Sequence, residues 1–210
     1  MKRIYLFTLF TALAIITNAQ KIEFTALTGY TVNDNLRTYY ASSEVDNTSN
    51  FGGILSIEVV RGSFMELSYS RNDTRFYYYN DDVGSRAPLD IAIEHYQFGS
   101  LQQFDVHKII KPFAGLSIGL SRYHPKEKLN NREIDNMWAF TPILAGGVKI
   151  SITEWLGVRL QGRFILPFHL NMGSDYTAGN GGLIGIPNVS ADFSAGLVLR
   201  INRNILSAKK

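Results

Sequence analysis

From Val158 to Leu166 the chain reads VRLQGRFIL, with Val158, Leu160, Gly162, Phe164 and Leu166 on one parity and Arg159, Gln161 and Arg163 on the other. Alternation of this kind is the period of a β-strand, whose successive side chains leave opposite faces. The same pattern recurs along the chain, and the predicted strands are residues 20–32, 50–61, 63–72, 92–104, 111–123, 138–152, 156–166 and 191–202. Most reach the roughly 9–11 residues that a tilted strand needs to cross bilayer hydrocarbon. There is no heptad and no helical stripe; the repeating unit is the hairpin.

The connections alternate in length. Residues 61–63, 105–110 and 153–155 are short, whereas 33–49, 73–91, 124–137 and 167–190 are long, polar and rich in Asn, Asp, Gly, Ser and Tyr. Tight turns at one end and long loops at the other are the pattern of a membrane-spanning barrel, and an even strand count leaves both termini at the short-turn end.

The two faces decide which side meets lipid. One parity carries Phe24, Leu55, Leu67, Leu116, Ile118, Leu144, Leu160, Leu197 and Leu199. The other carries Glu23, Glu58, Glu66, Lys149, Arg159, Arg163, Asp192 and Arg200, interspersed with Gly52, Ser56, Ser68, Gly115, Ser117, Gly119, Gly147 and Gly196. Charges among many small residues suit a narrow interior, so the apolar face is expected outside. In 92–104 the alternation is weaker; Tyr96, Phe98 and Phe104 are assigned outward and His95, Gln97 and Gln103 inward. The predicted fold is all-β: an eight-stranded antiparallel up-and-down transmembrane β-barrel.

The opening MKRIYLFTLFTALAIITNAQ has a basic start (Lys2, Arg3), a short apolar run and small residues before Gln20. It reads as a signal peptide over 1–19, leaving 20–210 as one barrel domain. Without Lys2 and Arg3, the 21 basic residues of the 210-residue chain become 19 against 18 acidic, and no basic patch argues for nucleic acid. The absence of cysteine excludes thiolate metal sites, a cysteine nucleophile and a lipid-anchored start.

The position of each charge relative to the turns gives its depth. Glu23, Glu66 and Arg159 begin their strands, while Glu58, Lys149 and Arg200 end theirs, so all six gather on the inner face at the short-turn end, with Arg163 one layer further in. An unpaired charge inside a narrow barrel costs several kcal/mol, so these seven are expected to pair as a structural plug. Tyr30, Tyr123 and Trp138 at one rim, and Phe104, Phe113 and Trp155 at the other, fit interfacial aromatic girdles. The run Phe76-Tyr77-Tyr78-Tyr79 is a candidate contact surface in a long loop, since aromatics are enriched at interfaces.

Catalysis finds little support. Among His95, His107, His124 and His169, none stands in a His-x-Ser spacing, and no spacing suggests a metal ligand set. No cofactor is expected.

The segments PFAGLSIGLSRY, FTPILAGGVKISITEWLGVRLQGRF and ADFSAGLVLRIN carry the barrel grammar most clearly. With them the chain resembles the small OmpA/OmpX-like porin-family barrels without a periplasmic domain. That resemblance covers nearly all of the mature sequence. It implies a Gram-negative outer membrane, periplasmic termini, insertion by the outer-membrane assembly machinery, and contact with outer-membrane lipid including lipopolysaccharide. It further implies a structural or adhesive role through the long loops. Family members often end on an aromatic residue, whereas Arg203 to Lys210 follow the last strand of this chain.

Three other readings compete. An accessory barrel of a larger outer-membrane complex predicts a flat stripe of small residues on the lipid face; Gly53, Gly146 and Gly162 would contribute, but their strands are not all adjacent. A lipid A-modifying enzyme lacks its catalytic spacing. A soluble lipocalin-like binder needs an apolar cavity, which Arg159 and Arg163 contradict.

Overall fold

The computed structural model describes residues 21–33, 36–38, 41–80, 85–126, 136–169 and 189–202, and among them every element is a strand. The signal peptide expected over 1–19 lies outside the described residues, as do parts of the expected loops at 33–49, 124–137 and 167–190. The strands are β1 (Lys21–Asn33), β2 (Leu36–Thr38), β3 (Ala41–Val45), β4 (Thr48–Val60), β5 (Ser63–Asn80), β6 (Ser85–Gln103), β7 (Ile110–Pro125), β8 (Met137–Phe140), β9 (Ile143–Ser151), β10 (Leu156–Ile165), β11 (Phe168–His169) and β12 (Ser190–Asn202).

These make eight staves. β8 and β9 pair with β7 in a single register, and Thr141 N–H donates to Gly119 O across the gap between them; Pro142, which has no N–H, interrupts the ladder without breaking the stave. β10 and β11 are joined in the same way, Leu166 N–H donating to Pro142 O. β2 and β3 continue the β1–β4 hairpin beyond the barrel wall.

All neighbours are antiparallel, and the wall closes where β1 meets β12. Register can be followed once around it: Ile22 opposes Ile57, then Met65, Ser100, Leu116, Leu144, Phe164, Ala191 and finally Val32. The circuit returns to β1 ten residues from where it began, a shear that tilts the strands by about 40° given ordinary strand rise and spacing. Because that shift is even, inward and outward parities stay consistent all the way round. Eight strands leave an interior just wide enough for side chains.

The faces lie as the alternation requires. Lys149 is 0% exposed and Arg159 1%, whereas Leu197 is 58% and Leu67 59% exposed. On β6, His95, Gln97 and Gln103 are buried, and Tyr96, Phe98 and Phe104 point out. Two aromatic assignments are corrected. Phe113 is buried in a lumenal cluster with Phe64 and Leu101, and Tyr123, opposite buried Ile93, shares its inward parity, so neither belongs to an outer girdle.

The expected loop 73–91 is also corrected. β5 and β6 keep unbroken register from Ser63 opposite Gln102 to Asn80 opposite Ser85, so most of that stretch is a hairpin rising above the barrel. Past the hydrocarbon the outward face no longer needs apolar side chains, so the hydropathy alternation fades while the backbone ladder continues.

At the other end, Arg61-Gly62 turns β4 into β5. Gly62 adopts φ +81°, a conformation that favours glycine, and donates its N–H to Glu58 Oε1 at 2.9 Å.

Candidate functional site in the lumen

The charged residues of the inner face meet in two tiers. In the lower tier, the β1–β12 register sets Glu23 opposite Arg200, whose Nε donates to Glu23 Oε1 at 3.0 Å. The other oxygen of Glu23 accepts from Lys149 Nζ at 2.5 Å. Arg159 lies opposite Lys149 in the β9–β10 ladder, and its two terminal nitrogens donate to both oxygens of Glu66 at 2.7 and 3.1 Å. Ser56 Oγ donates to Glu66 as well, and Arg159 Nε donates to Gln161 Oε1, whose amide in turn reaches Ser194.

Aromatic rings floor this tier. The Lys149 ammonium sits 4.4 Å from the centre of the Phe64 ring, and the Arg159 guanidinium 4.5 Å from that of Phe113. Such contacts help stabilise desolvated cations. A side chain at Gly157 would collide with the Arg200 guanidinium, so glycine there makes room for the pair.

The upper tier is built on Asp192. Its Oδ2 accepts from Arg163 at 2.6 Å and from Asn50 at 2.7 Å, and Asn50 also donates to Thr31. Arg163 reaches on to Ser70 Oγ at 3.1 Å. Farther toward the long hairpins, His95 Nδ1, Ser121 and Thr141 form a buried chain with spacings of 2.6 and 2.7 Å. Between the tiers lies a cavity of about 30 Å³ bordered by Ser68, Gly99, Gly115, Ser117, Arg159 and Arg163, large enough for roughly a water molecule or two.

All seven residues singled out in the sequence are therefore buried or nearly so and ion-paired, but not in one cluster. Glu58 stands apart: it caps the Arg61-Gly62 turn and pairs with Lys21 at 3.4 Å. Lys21, Phe64 and the lumenal role of Phe113 were missed, whereas Gln161 and Asp192 were read as inward-facing but Asp192 was left out of the plug. Asp192 and Phe113 lie on the inward parity and so carried a signal; Lys21 sits at the extreme end of its strand, where parity says little.

The backbone of Phe76-Tyr77-Tyr78-Tyr79 pairs with residues 86–89 in the raised hairpin; the side chains lie outside the described residues. His124 Nδ1 lies 2.5 Å from Asn136 Oδ1.

No protein-family model matches the chain, and no curated relative matches it. Solved structures do. Neisserial surface protein A (NspA) aligns at 15% identity and a TM-score of 0.60, covering 85% of this chain and 96% of its own. The outer-membrane protein OprG of Pseudomonas aeruginosa aligns at 11% identity and a TM-score of 0.55, covering 89% and 99%. At such identities the likeness speaks for architecture, and the closed wall of eight staves agrees with it: the chain has the fold of the small eight-stranded outer-membrane β-barrels.

Proposed function

We propose that the chain is a Gram-negative outer-membrane protein whose lumen is closed by ion pairs, with both termini periplasmic, and which acts through its long surface hairpins as a structural or adhesive element. The carrying observation is that Arg159 on β10 grips Glu66 on β5, with three staves between them either way round the wall. A bidentate pair spanning the diameter supports a closed lumen, because its charges are expensive to separate in a low-dielectric interior. On this reading the barrel is neither a pore nor an enzyme: His95 spends its contact on Ser121 inside the wall, away from any open cleft. Its partners would be the assembly machinery during insertion, and afterwards outer-membrane lipid including lipopolysaccharide.

Two measurements test this reading. In planar bilayers the purified protein should show no steady conductance; a stable channel would overturn the closed lumen. Because the chain has no native cysteine, single Asp73→Cys and Asp105→Cys variants report topology. An impermeant maleimide on intact cells should label the first and spare the second, and the reverse result would overturn the orientation.

A second reading, an accessory subunit of a larger membrane complex, is favoured by one observation. The staves between Gly53 and Gly162 are β1 and β12, and these supply Ala26, opposite Gly53, and Ala195, opposite Thr28; Gly162 then opposes Gly146. With a shear of ten on eight staves, constant height shifts register by about one residue per strand, so these small residues share one depth on five consecutive staves. They form a shallow waist with Phe24 and Leu197 below and Tyr30 and Phe193 above. Recovery of a partner at fixed stoichiometry in mild detergent would support this reading over the lone barrel.

A further inference from the structure

The inward charges of the lumen do not balance. Among the described residues, Lys21 is answered by Glu58, and Lys111 by Asp105 of the β6–β7 turn, both at the short-turn mouth. That leaves four cations, Lys149, Arg159, Arg163 and Arg200, on three carboxylates, Glu23, Glu66 and Asp192. Glu23 serves Lys149 and Arg200 together, so a surplus of one positive charge arises in the lower tier. None of the seven side chains is more than 14% exposed. A proton on His95, higher in the same lumen, would only enlarge the surplus. A buried charge without its counter-charge is expensive.

The cavity between the tiers lies beside this surplus. Its place follows from register: Arg163 opposes Ala145 on β9, which opposes Gly115 on β7, and neither side chain is long enough to fill the lumen at that rung. Ser68, Gly99 and Ser117, also on the border, are small as well. Arg163 is 8% exposed, and its Nε donates to no protein atom. Gln97, opposite Ser68 and 2% exposed, carries an amide neither of whose polar atoms meets a protein partner. The hydroxyls of Ser68 and Ser117 can turn their protons toward an acceptor. The carboxylate on the border is Glu66, whose two oxygens are already engaged by Arg159, one of them by Ser56 as well. Asn72 Oδ1 and Asp192 Oδ1, acceptors without a partner, belong to residues that do not border the cavity.

We propose that this cavity binds a monatomic anion of the halide class, chloride in ordinary buffers, as the eighth charge of the lumenal network. Arg159 and Arg163 both border it, so the ion sits between a guanidinium of each tier and offsets the surplus. Hydroxyl and amide donors complete its shell. A space of about 30 Å³ suits an ion the size of a water molecule and is too small for phosphate or a carboxylate. The site rests on the closed-lumen reading above and adds a ligand to it.

The test is urea unfolding of the mature chain in phosphatidylcholine vesicles, with chloride or bromide replacing methanesulfonate, an anion too large for the cavity, at equal ionic strength. About 0.1 M halide should raise the folded-to-unfolded ratio about tenfold for a site of about 10 mM affinity, and the gain should saturate. Ser117→Val, which fills the cavity with hydrocarbon, should abolish that gain. Ser117→Asp, which fixes a negative charge there, should raise the midpoint in methanesulfonate and leave it indifferent to halide. Without a need for an anion, the same carboxylate would be an unwelcome buried charge and would lower the midpoint or prevent folding. Crystals grown in bromide should show an anomalous peak between Arg159 and Arg163. Equal midpoints of the parent in the two salts, an undiminished halide effect in Ser117→Val, a destabilised Ser117→Asp, or water alone in the cavity of bromide crystals would overturn the proposal. Steady conductance through the parent would instead sink the closed-lumen reading beneath it.

Discussion

Arg159 and Glu66 meet across the full width of the barrel, the guanidinium of β10 donating twice to the carboxylate of β5 at 2.7 and 3.1 Å. Four residues along β10, Arg163 crosses the same space to Ser70 of β5. Two struts from one strand thus hold opposite walls together, in addition to the rungs that join neighbours.

Arg159→Met should destabilise the protein by about 3–5 kcal/mol, because it strands a buried carboxylate. Glu66→Leu alone should cost a similar amount. The double variant should recover most of the loss, since a well-packed apolar pair of like volume often replaces a buried ion pair without penalty. Urea unfolding in lipid vesicles, analysed as a double-mutant cycle, measures the coupling. A double variant as unstable as the sum of the singles would show that the pair does not act as a unit.

Glu23 and Glu58 should respond differently to neutralisation. Glu23→Gln leaves Lys149 and Arg200 facing each other without a shared anion, in a site closed to solvent. The partner of Glu58 is Lys21, which is one-third exposed and can turn to water. Glu23→Gln is therefore expected to lower the unfolding midpoint well below that of Glu58→Gln in the same titration.

Gly62→Ala should cost about 1 kcal/mol or somewhat more, since alanine is strained at φ +81°. Folding rate into vesicles should fall little if the turn closes late. The equilibrium measurement decides the point, and an unchanged midpoint would mean the turn relaxes freely.

In the β6–β7 turn, Lys111 hydrogen-bonds Asp105 at 3.2 Å and, with Arg61 and Lys21 also nearby, holds that carboxyl below its ordinary range. A depressed folded-state value means the interaction stabilises above the unfolded pKa and is lost as pH falls through the folded one. NMR titration should find Asp105 ionising below the usual aspartate value of about 3.9, and Lys111→Ala should bring it back up. A titration unmoved by Lys111→Ala would contradict the pairing.

Gly162→Phe probes the waist on the lipid face. A lone barrel should tolerate the bulk, because lipid yields to it, and should unfold near the parent midpoint. Loss of a co-purifying protein with unchanged barrel stability would favour the subunit reading.

Much of this molecule can be read without coordinates. Period-two alternation is local, so Val158 to Leu166 and its counterparts declare their strands, their two faces and which face is oily. The same parity places Glu23, Glu66, Lys149, Arg159, Arg163 and Arg200 inside. It stops being informative where both faces become polar: Asp73 and Arg75 sit on a continuing strand that no hydropathy pattern marks. The choice of partners also escaped it. Whether Arg159 finds Glu66 or Glu23, whether Asp192 answers Arg163, and whether Gly53, Ala26, Ala195 and Gly162 align all depend on the ten-residue shear. That quantity is the sum of every register offset around the closed wall, and it has no value until the last strand meets the first.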